Sequence, residues 1–180
     1  EIRINGNKAF SESTLTGLFD LNAGGWLNFY TKADRYSRAK LDADLETLRA
    51  YYLNRGYLEF NVESTQVAIS PDKQDITVTI NIKEGQPYTV SSVKLEGDYL
   101  GKEDDFKTLV QIKPGEPYRA ETVTQTTRAM SDRFGTFGYA FAKVEARPEI
   151  DRVNGTVALA ITADPARRVY VRRINVAGNT

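Results

Sequence analysis

The sequence predicts an α+β protein made of two tandem units. Each unit has the order β-α-α-β-β, with a three-stranded mixed sheet covered on one face by two helices. A phrase of the form apolar-x-apolar-x-Gly-(Asn/Asp) occurs at residues 2–7, 93–98 and 174–179, and such an internal repeat indicates an array of similar units. Gly-Tyr pairs, at Gly56 and at Gly138, occupy equivalent places in the first two units.

Each unit opens with a short strand and a short helix. Ile2 and Ile4 alternate with polar residues, as in a half-buried strand, and Gly6 supplies the following turn. Ser11 is placed to cap the first helix, and Glu12 suits the positive end of its dipole. The stretch KEDDFKTLV is the counterpart in the second unit.

A longer helix follows, and its apolar stripe is predicted to pack on the sheet. The stripe comprises Leu41, Leu45, Leu48 and Tyr52 in the first unit, and Val123, Thr127, Met130, Phe134 and Phe137 in the second. Gly56 and Gly138 are then predicted to end the helices as left-handed caps. Tyr57 and Tyr139 are predicted to open the next strand.

The last two strands of each unit alternate apolar and polar residues, as an antiparallel hairpin does. The third strand can lie at the centre of the sheet, between the first and the second. This order leaves the second strand with a free edge. The units are predicted to span residues 1–85 and 86–166, with 167–180 as the opening strand of a further unit.

The second strand of the first unit changes phase. Its apolar residues fall at Leu58, Phe60 and Val62, and then at Val67 and Ile69. Because strand side chains alternate between faces, the change predicts a β-bulge within residues 63–66. The alternative is that the strand ends at Val62 and that residues 67–69 form a separate segment.

Composition excludes several classes of function. The 24 basic and 24 acidic residues balance, so no basic field favours nucleic acid. Cysteine and histidine are absent, which removes disulfides, the usual zinc ligands and the commonest general base. The carboxylates of Asp42 and Glu46, near Asp44, are predicted to lie opposite the leucine stripe and so in water. Neither they nor residues 103–105 indicate a catalytic pocket. No catalytic residue, metal site or cofactor is predicted.

The tandem order, the INGN opening and the Gly-Tyr pairs resemble POTRA domains, the periplasmic modules that precede the barrel of outer-membrane assembly proteins. The resemblance covers essentially the whole chain. The stretch LDADLETLRAYYLNRGYLEFNVESTQVAISPDKQDITVTINIKEG resembles the third such domain. IKPGEPYRAETV through FGYAFAKVEARPEI resembles the fourth, and YVRRINVAGN the start of the fifth.

The resemblance implies a non-enzymatic role in the periplasm, within a Gram-negative outer-membrane protein. The implied partners are nascent, unfolded outer-membrane proteins and accessory assembly lipoproteins, with no nucleic acid. Partners would add a strand to an edge, a mode that accepts many sequences. The implied contact residues are Leu58, Glu59, Phe60, Asn61, Val62, Glu63, Ser64, Thr65 and Gln66. Two alternatives stay open: the POTRA region of a two-partner secretion or translocation-assembly transporter, and a purely structural spacer.

The corresponding edge of the second unit is expected to accept strands less well. Ala140, Ala142 and Ala146 give a guest side chain little to contact, and Pro148 cannot donate a ladder hydrogen bond.

Two other segments have two interpretations each. The insertion NAGGWLNFYTKADRY carries Trp26, Phe29 and Tyr30, either as an aromatic contact for partners or as a loop that buries Trp26 against the helices. Four arginines, Arg167, Arg168, Arg172 and Arg173, could meet anionic lipid at the periplasmic membrane surface, or be solvated residues around a domain junction.

The junctions after the units are short. Gly85, Gln86 and Pro87 follow the first unit, and Pro165, Ala166 and Arg167 follow the second. Connections of this length are predicted to act as limited hinges.

Overall fold

A computed structural model describes residues 1–20, 35–72 and 75–166, apart from the side chains of residues 35–37. The elements in chain order are β1 (Ile2–Asn5), α1 (Glu12–Thr16), α2 (Arg35–Leu53), β2 (Asn61–Ile69), β3 (Ile76–Lys83), β4 (Thr89–Gly97), α3 (Glu103–Lys107), α4 (Ala120–Thr136), β5 (Lys143–Asp151) and β6 (Thr156–Asp164). Within the described ranges, none of the helices has the length and apolar character needed to cross a membrane.

The chain divides into two compact units. One is built from Glu1–Thr89 with Pro117–Ala120, and the other from Val90–Glu116 with the described residues from Glu121 onward. Each unit holds a three-stranded sheet, with orders β1-β3-β2 and β4-β6-β5. In the first sheet β1 runs parallel to β3, and β2 runs antiparallel to it. The predicted α+β class and the central place of the third strand are confirmed.

Each core lies between the helices and one face of its sheet. Leu15, Leu48, Tyr52, Val78 and Ile80 are buried in the first unit. Phe106, Met130, Phe134, Leu159 and Ile161 occupy the equivalent space in the second. The alternating burial of β3 and β6 follows from the pleat, which sends every second side chain toward the helices.

The helix ends follow the predicted chemistry. The Ser11 side chain accepts a hydrogen bond from the Thr14 N–H at 3.2 Å and so caps α1. Gly56 and Gly138 have φ values of +94° and +90°, the left-handed conformation that glycine tolerates. On α4, however, Thr126 and not Thr127 completes the buried stripe. Its Oγ1 accepts the Gln111 N–H at 3.2 Å, which satisfies a polar group that would otherwise be buried alone.

The predicted strand starts at Tyr57 and Tyr139 are wrong. The strands begin four residues later, at Asn61 and Lys143. In the first unit the chain turns after Gly56, with the Phe60 N–H donating to the Tyr57 carbonyl at 3.2 Å. The Phe60 ring then stacks on Tyr52 with centroids 4.2 Å apart. Burying this ring holds the chain in a turn before it can enter the sheet.

The predicted bulge is confirmed. Val62 pairs with Ile82 and Ser64 pairs with Asn81, so Glu63 has no opposite residue in β3. The strand nevertheless continues to Ile69, which excludes the alternative that it ends at Val62.

Candidate functional site

The free edge of β2 presents a defined set of backbone groups. In β3 the Val78 N–H donates to the Glu1 carbonyl at 2.8 Å, so Val78 faces β1. Because backbone groups alternate along a strand, Thr77 and Thr79 face β2. Their partners Ala68 and Gln66 therefore bond inward. The residues whose N–H and C=O groups point away from the sheet are Val62, Thr65, Val67 and Ile69.

Only part of the predicted contact segment lies on this edge. Asn61, Val62, Glu63, Ser64, Thr65 and Gln66 belong to β2. Leu58 and Glu59 lie in the preceding turn, and Phe60 is buried in the core. The Glu59 carboxylate accepts a hydrogen bond from the hydroxyl of the buried Tyr88. These three residues are held by turn and core contacts, so their placement on an edge strand was wrong.

The sequence-based prediction also stopped too early. Val67, Ala68 and Ile69 continue the edge. Val67 and Ile69 are 38% and 43% exposed, although their side chains lie on the apolar face of the strand. Their alternation with Gln66 and Ala68 was visible in the sequence, and it is the signal that could have extended the predicted site.

A groove runs between the start of β2 and α2. It has a volume of about 380 Å³ and is lined by Asp42, Leu45, Glu46 and Arg49 from the helix and by Phe60, Asn61 and Val62. The predicted exposure of Asp42 and Glu46 is confirmed. A strand added to β2 would lie along this polar wall, so charged groups of the helix would face its side chains.

The free edge of β5 differs in one donor. The Asp98 N–H bonds the Ala163 carbonyl at 3.0 Å, so Ala163 faces β4. By alternation, Thr162 and Ala160 face β5, and their partners Glu145 and Arg147 bond inward. The outward positions are Val144, Ala146, Pro148 and Ile150. Proline has no N–H, so the missing donor falls on the free edge and the β5–β6 ladder keeps its bonds. Ala140 and Ala142 precede the strand, so their placement on the edge was wrong.

A buried carboxylate joins three segments of the first unit. Glu84 is 8% exposed and accepts hydrogen bonds from the Lys8 N–H at 2.8 Å and the Ala9 N–H at 3.1 Å. The Tyr52 hydroxyl donates to the same carboxylate at 2.7 Å. Burial and then this hydrogen bond raise the pKa of Tyr52 well above its usual value, so its hydroxyl stays a neutral donor. The arrangement holds these three segments of the first unit together.

Asp44 is a second buried acid that sequence reasoning did not find. It is 3% exposed and accepts the Asp20 N–H at 3.1 Å. Among the described residues, no cluster of acidic side chains is arranged to hold a metal ion.

The other predicted residues fall at the junctions or outside the described ranges. Gly85 has a φ of +72° and Ala166 a φ of +55°, and the Gln86 side chain donates to the Tyr88 hydroxyl at 3.3 Å. Pro87 and Pro165 lie beside them. The hinge role of these residues stays a prediction. Outside the described residues lie Trp26, Phe29, Tyr30, Arg167, Arg168, Arg172 and Arg173, and so does the predicted opening strand at 167–180.

Known proteins resemble the chain over its whole length. A family model described as POTRA, surface antigen variable number repeat, matches residues 1–85 and 88–166. Outer membrane protein assembly factor BamA of Buchnera aphidicola subsp. Acyrthosiphon pisum is 32% identical over 179 residues, which cover 99% of this chain and 29% of the relative. BamA of Neisseria meningitidis serogroup B is 27% identical over 180 residues, covering 99% of this chain and 23% of the relative. The chain thus spans less than a third of the length of these relatives.

A solved structure shows the same arrangement of elements. The crystal structure of Haemophilus influenzae BamA POTRA3-5 matches with a TM-score of 0.83 and 26% identity, over 99% of this chain and 70% of that chain. A BamA structure from Haemophilus ducreyi lacking POTRA domains 1-3 matches with a TM-score of 0.68 and 16% identity, over 91% of this chain and 28% of that chain, and supports the fold.

Proposed function

This chain belongs to the POTRA family, and we propose that it binds unfolded outer-membrane proteins by adding their strands to the free edge of β2. It is a periplasmic part of an outer-membrane protein, from a family of non-enzymatic scaffolds. The proposed setting is the machinery that assembles β-barrels in the outer membrane, because the relatives that match nearly all of the chain are named as assembly factors.

One observation carries the proposal: the outward backbone groups of Thr65, Val67 and Ile69 form a regular row. A guest strand hydrogen-bonds to such a row irrespective of its sequence, which suits a site that must accept many different barrel strands. The bulge at Glu63 increases the local twist and separates this row from Val62. We propose that pairing extends from Thr65 to Ile69 and weakens across the bulge.

The second class of proposed partner is the accessory assembly lipoprotein. A folded partner can use the same edge if it presents an edge strand of its own, because β-augmentation needs only exposed backbone. The domain boundaries proposed for this role are residues 1–85 and 86–166, with 167–180 beginning a further domain.

An amide NMR titration of the chain tests the proposal. The ligand is a synthetic peptide copied from a barrel strand, and purified lipoproteins are titrated separately. We expect contiguous shifts from Thr65 to Ile69, and smaller shifts at Asn61 and Val62 beyond the bulge. A peptide with proline at alternate positions is the matched control, since it retains apolar character but lacks half of its donors. Absence of shifts along β2 at millimolar peptide would favour the purely structural spacer.

A further inference from the structure

We propose a second peptide-binding site, in the groove between β4 and α3 of the second unit. The ligand class is an extended peptide with apolar side chains at alternate positions and a Lys or Arg at the end that passes Glu103. This site is separate from the β2 edge, and it lies on the opposite edge of its own sheet from Pro148.

The backbone of β4 is open where the groove begins. The Asp98 N–H bonds β6, so by alternation Glu96 and Lys94 face β6 while Leu95 and Val93 face away. No described residue outside the sheet bonds the backbone of Val93 or Leu95.

The start of the same strand is closed. The Val90 N–H donates to the Glu116 carbonyl at 2.9 Å, and the Val90 carbonyl accepts the Gly115 N–H at 2.8 Å. The backbone of Val90 thus bonds away from β6, whereas Lys94 and Glu96 face β6, so the alternation shifts between Val90 and Val93. The edge is therefore available from Val93 onward, beside the groove.

The groove has an apolar part and is large enough for side chains of a guest. Its volume is about 650 Å³. The apolar residues that line it are Val93, Leu95, Val110, Ile112 and Pro114. A guest paired with β4 would send every second side chain toward these residues. Alternating apolar residues in the guest would therefore meet these five residues, while Lys94, Glu96, Glu103 and Lys107 line the rest of the groove.

The first unit closes the equivalent edge with its own side chain. The Ile4 N–H donates to the Glu12 carboxylate at 3.1 Å, and Glu12 is the first residue of α1. Glu103 is the first residue of α3, the equivalent position, and no hydrogen bond or ion pair involves it among the described residues. The second unit therefore leaves both the backbone and the carboxylate available.

Charge decides which end residue the guest carries. Lys107, also in the groove wall, lies 3.7 Å from Asp104, and Lys94 and Glu96 have opposite charges. Among the described residues, no hydrogen bond or ion pair involves Glu96, Glu103 or Lys94, so the unpaired side chains of the groove carry a net negative charge. Glu103 is the unpaired acid on the helix wall. A basic side chain on the guest would form an ion pair with the Glu103 carboxylate.

The test is an amide NMR titration of the chain with two nonapeptides. Both have valine at alternate positions and threonine between them, and one ends in lysine where the other ends in glutamine. We expect shifts at Val93–Glu96, Val110 and Ile112. Glu103→Gln should weaken the lysine peptide about two- to fivefold and leave the glutamine peptide unchanged, as an exposed ion pair does. Asp104→Asn is the matched control and should change neither.

A change in the groove itself separates this site from β2. Val110→Asp should weaken both peptides about tenfold, because it buries a charge against the guest. If that variant unfolds, Val110→Thr replaces it, with a smaller loss expected. Shifts confined to β2 would overturn this proposal and leave the proposed function standing. Equal effects of Glu103→Gln on the two peptides would overturn the charge preference, and absence of shifts on either strand would overturn both sites.

Discussion

The two units build the same sheet from similar sequences and differ at the free edge of the second strand. In β2, Thr65, Val67 and Ile69 offer N–H groups to solvent. In β5, the matching row contains Pro148, which has none. β5 pairs with β6 along its whole length, and β2 pairs with β3 except at the bulge residue Glu63. The difference predicts that the β5 edge accepts a guest strand less well than the β2 edge, although the proline costs the β5–β6 ladder no hydrogen bond.

The units also differ in the partner of a buried tyrosine. Tyr52 donates to the Glu84 carboxylate at 2.7 Å, whereas Tyr99 donates to the Ile161 carbonyl at 2.6 Å. The first partner is charged and holds three segments together, and the second is a single backbone group. Hydrogen bonds to charged acceptors are the stronger class.

The largest effect is expected from removing that charged contact. Tyr52→Phe should lower the free energy of unfolding of the first unit by about 2 kcal/mol, because a buried carboxylate loses a donor. Tyr99→Phe, the matched change in the second unit, should cost about 1 kcal/mol. Urea unfolding followed by amide signals of each unit measures both. Equal losses of unfolding free energy in the two variants would show that the charge of Glu84 adds nothing to the strength of the hydrogen bond.

The next effect concerns the donor on β2. Val67→Pro removes an outward N–H and should weaken a barrel-strand peptide about tenfold, since a guest carbonyl is left unpaired. Val67→Thr keeps the N–H and is the control. NMR titration gives both affinities. If the two variants bind alike, the guest does not pair with this part of the edge.

A smaller effect is expected at alkaline pH. Burial raises the pKa of Tyr99 to about 12, above the value near 10 of an unfolded tyrosine. Its contribution is therefore complete below about pH 10 and is lost as pH rises toward about 12. The second unit should lose roughly 1 kcal/mol between about pH 8 and pH 10.5. Tyr99→Phe should flatten this slope in urea unfolding, and an unchanged slope would contradict the assignment.

The smallest effect is a gain on β5. Pro148→Val restores the missing donor and should strengthen peptide binding at that edge about threefold. Ile150→Val, at an outward position that already has an N–H, is the control. New shifts along Lys143–Asp151 on titration would support the comparison. If no shifts appear along β5, features other than Pro148 prevent peptide binding at this edge.

Much of the fold could be predicted from local chemistry. The repeat, the helical stripes and the glycine caps predicted the order of elements, and the parity change between Val62 and Val67 predicted the bulge. The sequence also showed that Pro148 lacks a backbone N–H to donate. These features depend on backbone conformation and alternation, which are properties of neighbouring residues along the chain.

The tertiary structure decided where those features act. Phe60 alternates with Val62 as a strand residue would, yet it stacks on Tyr52, so β2 starts only at Asn61. Which side of a strand bonds inward depends on the register with β3 or β6, and only that register places Pro148 on the free edge. Glu12 and Glu103 look alike in the sequence, but only Glu12 reaches the edge beside it. Contacts between residues that are distant in the chain decide these three features. Periodicity along the chain carries no information about such contacts, so it could not predict them.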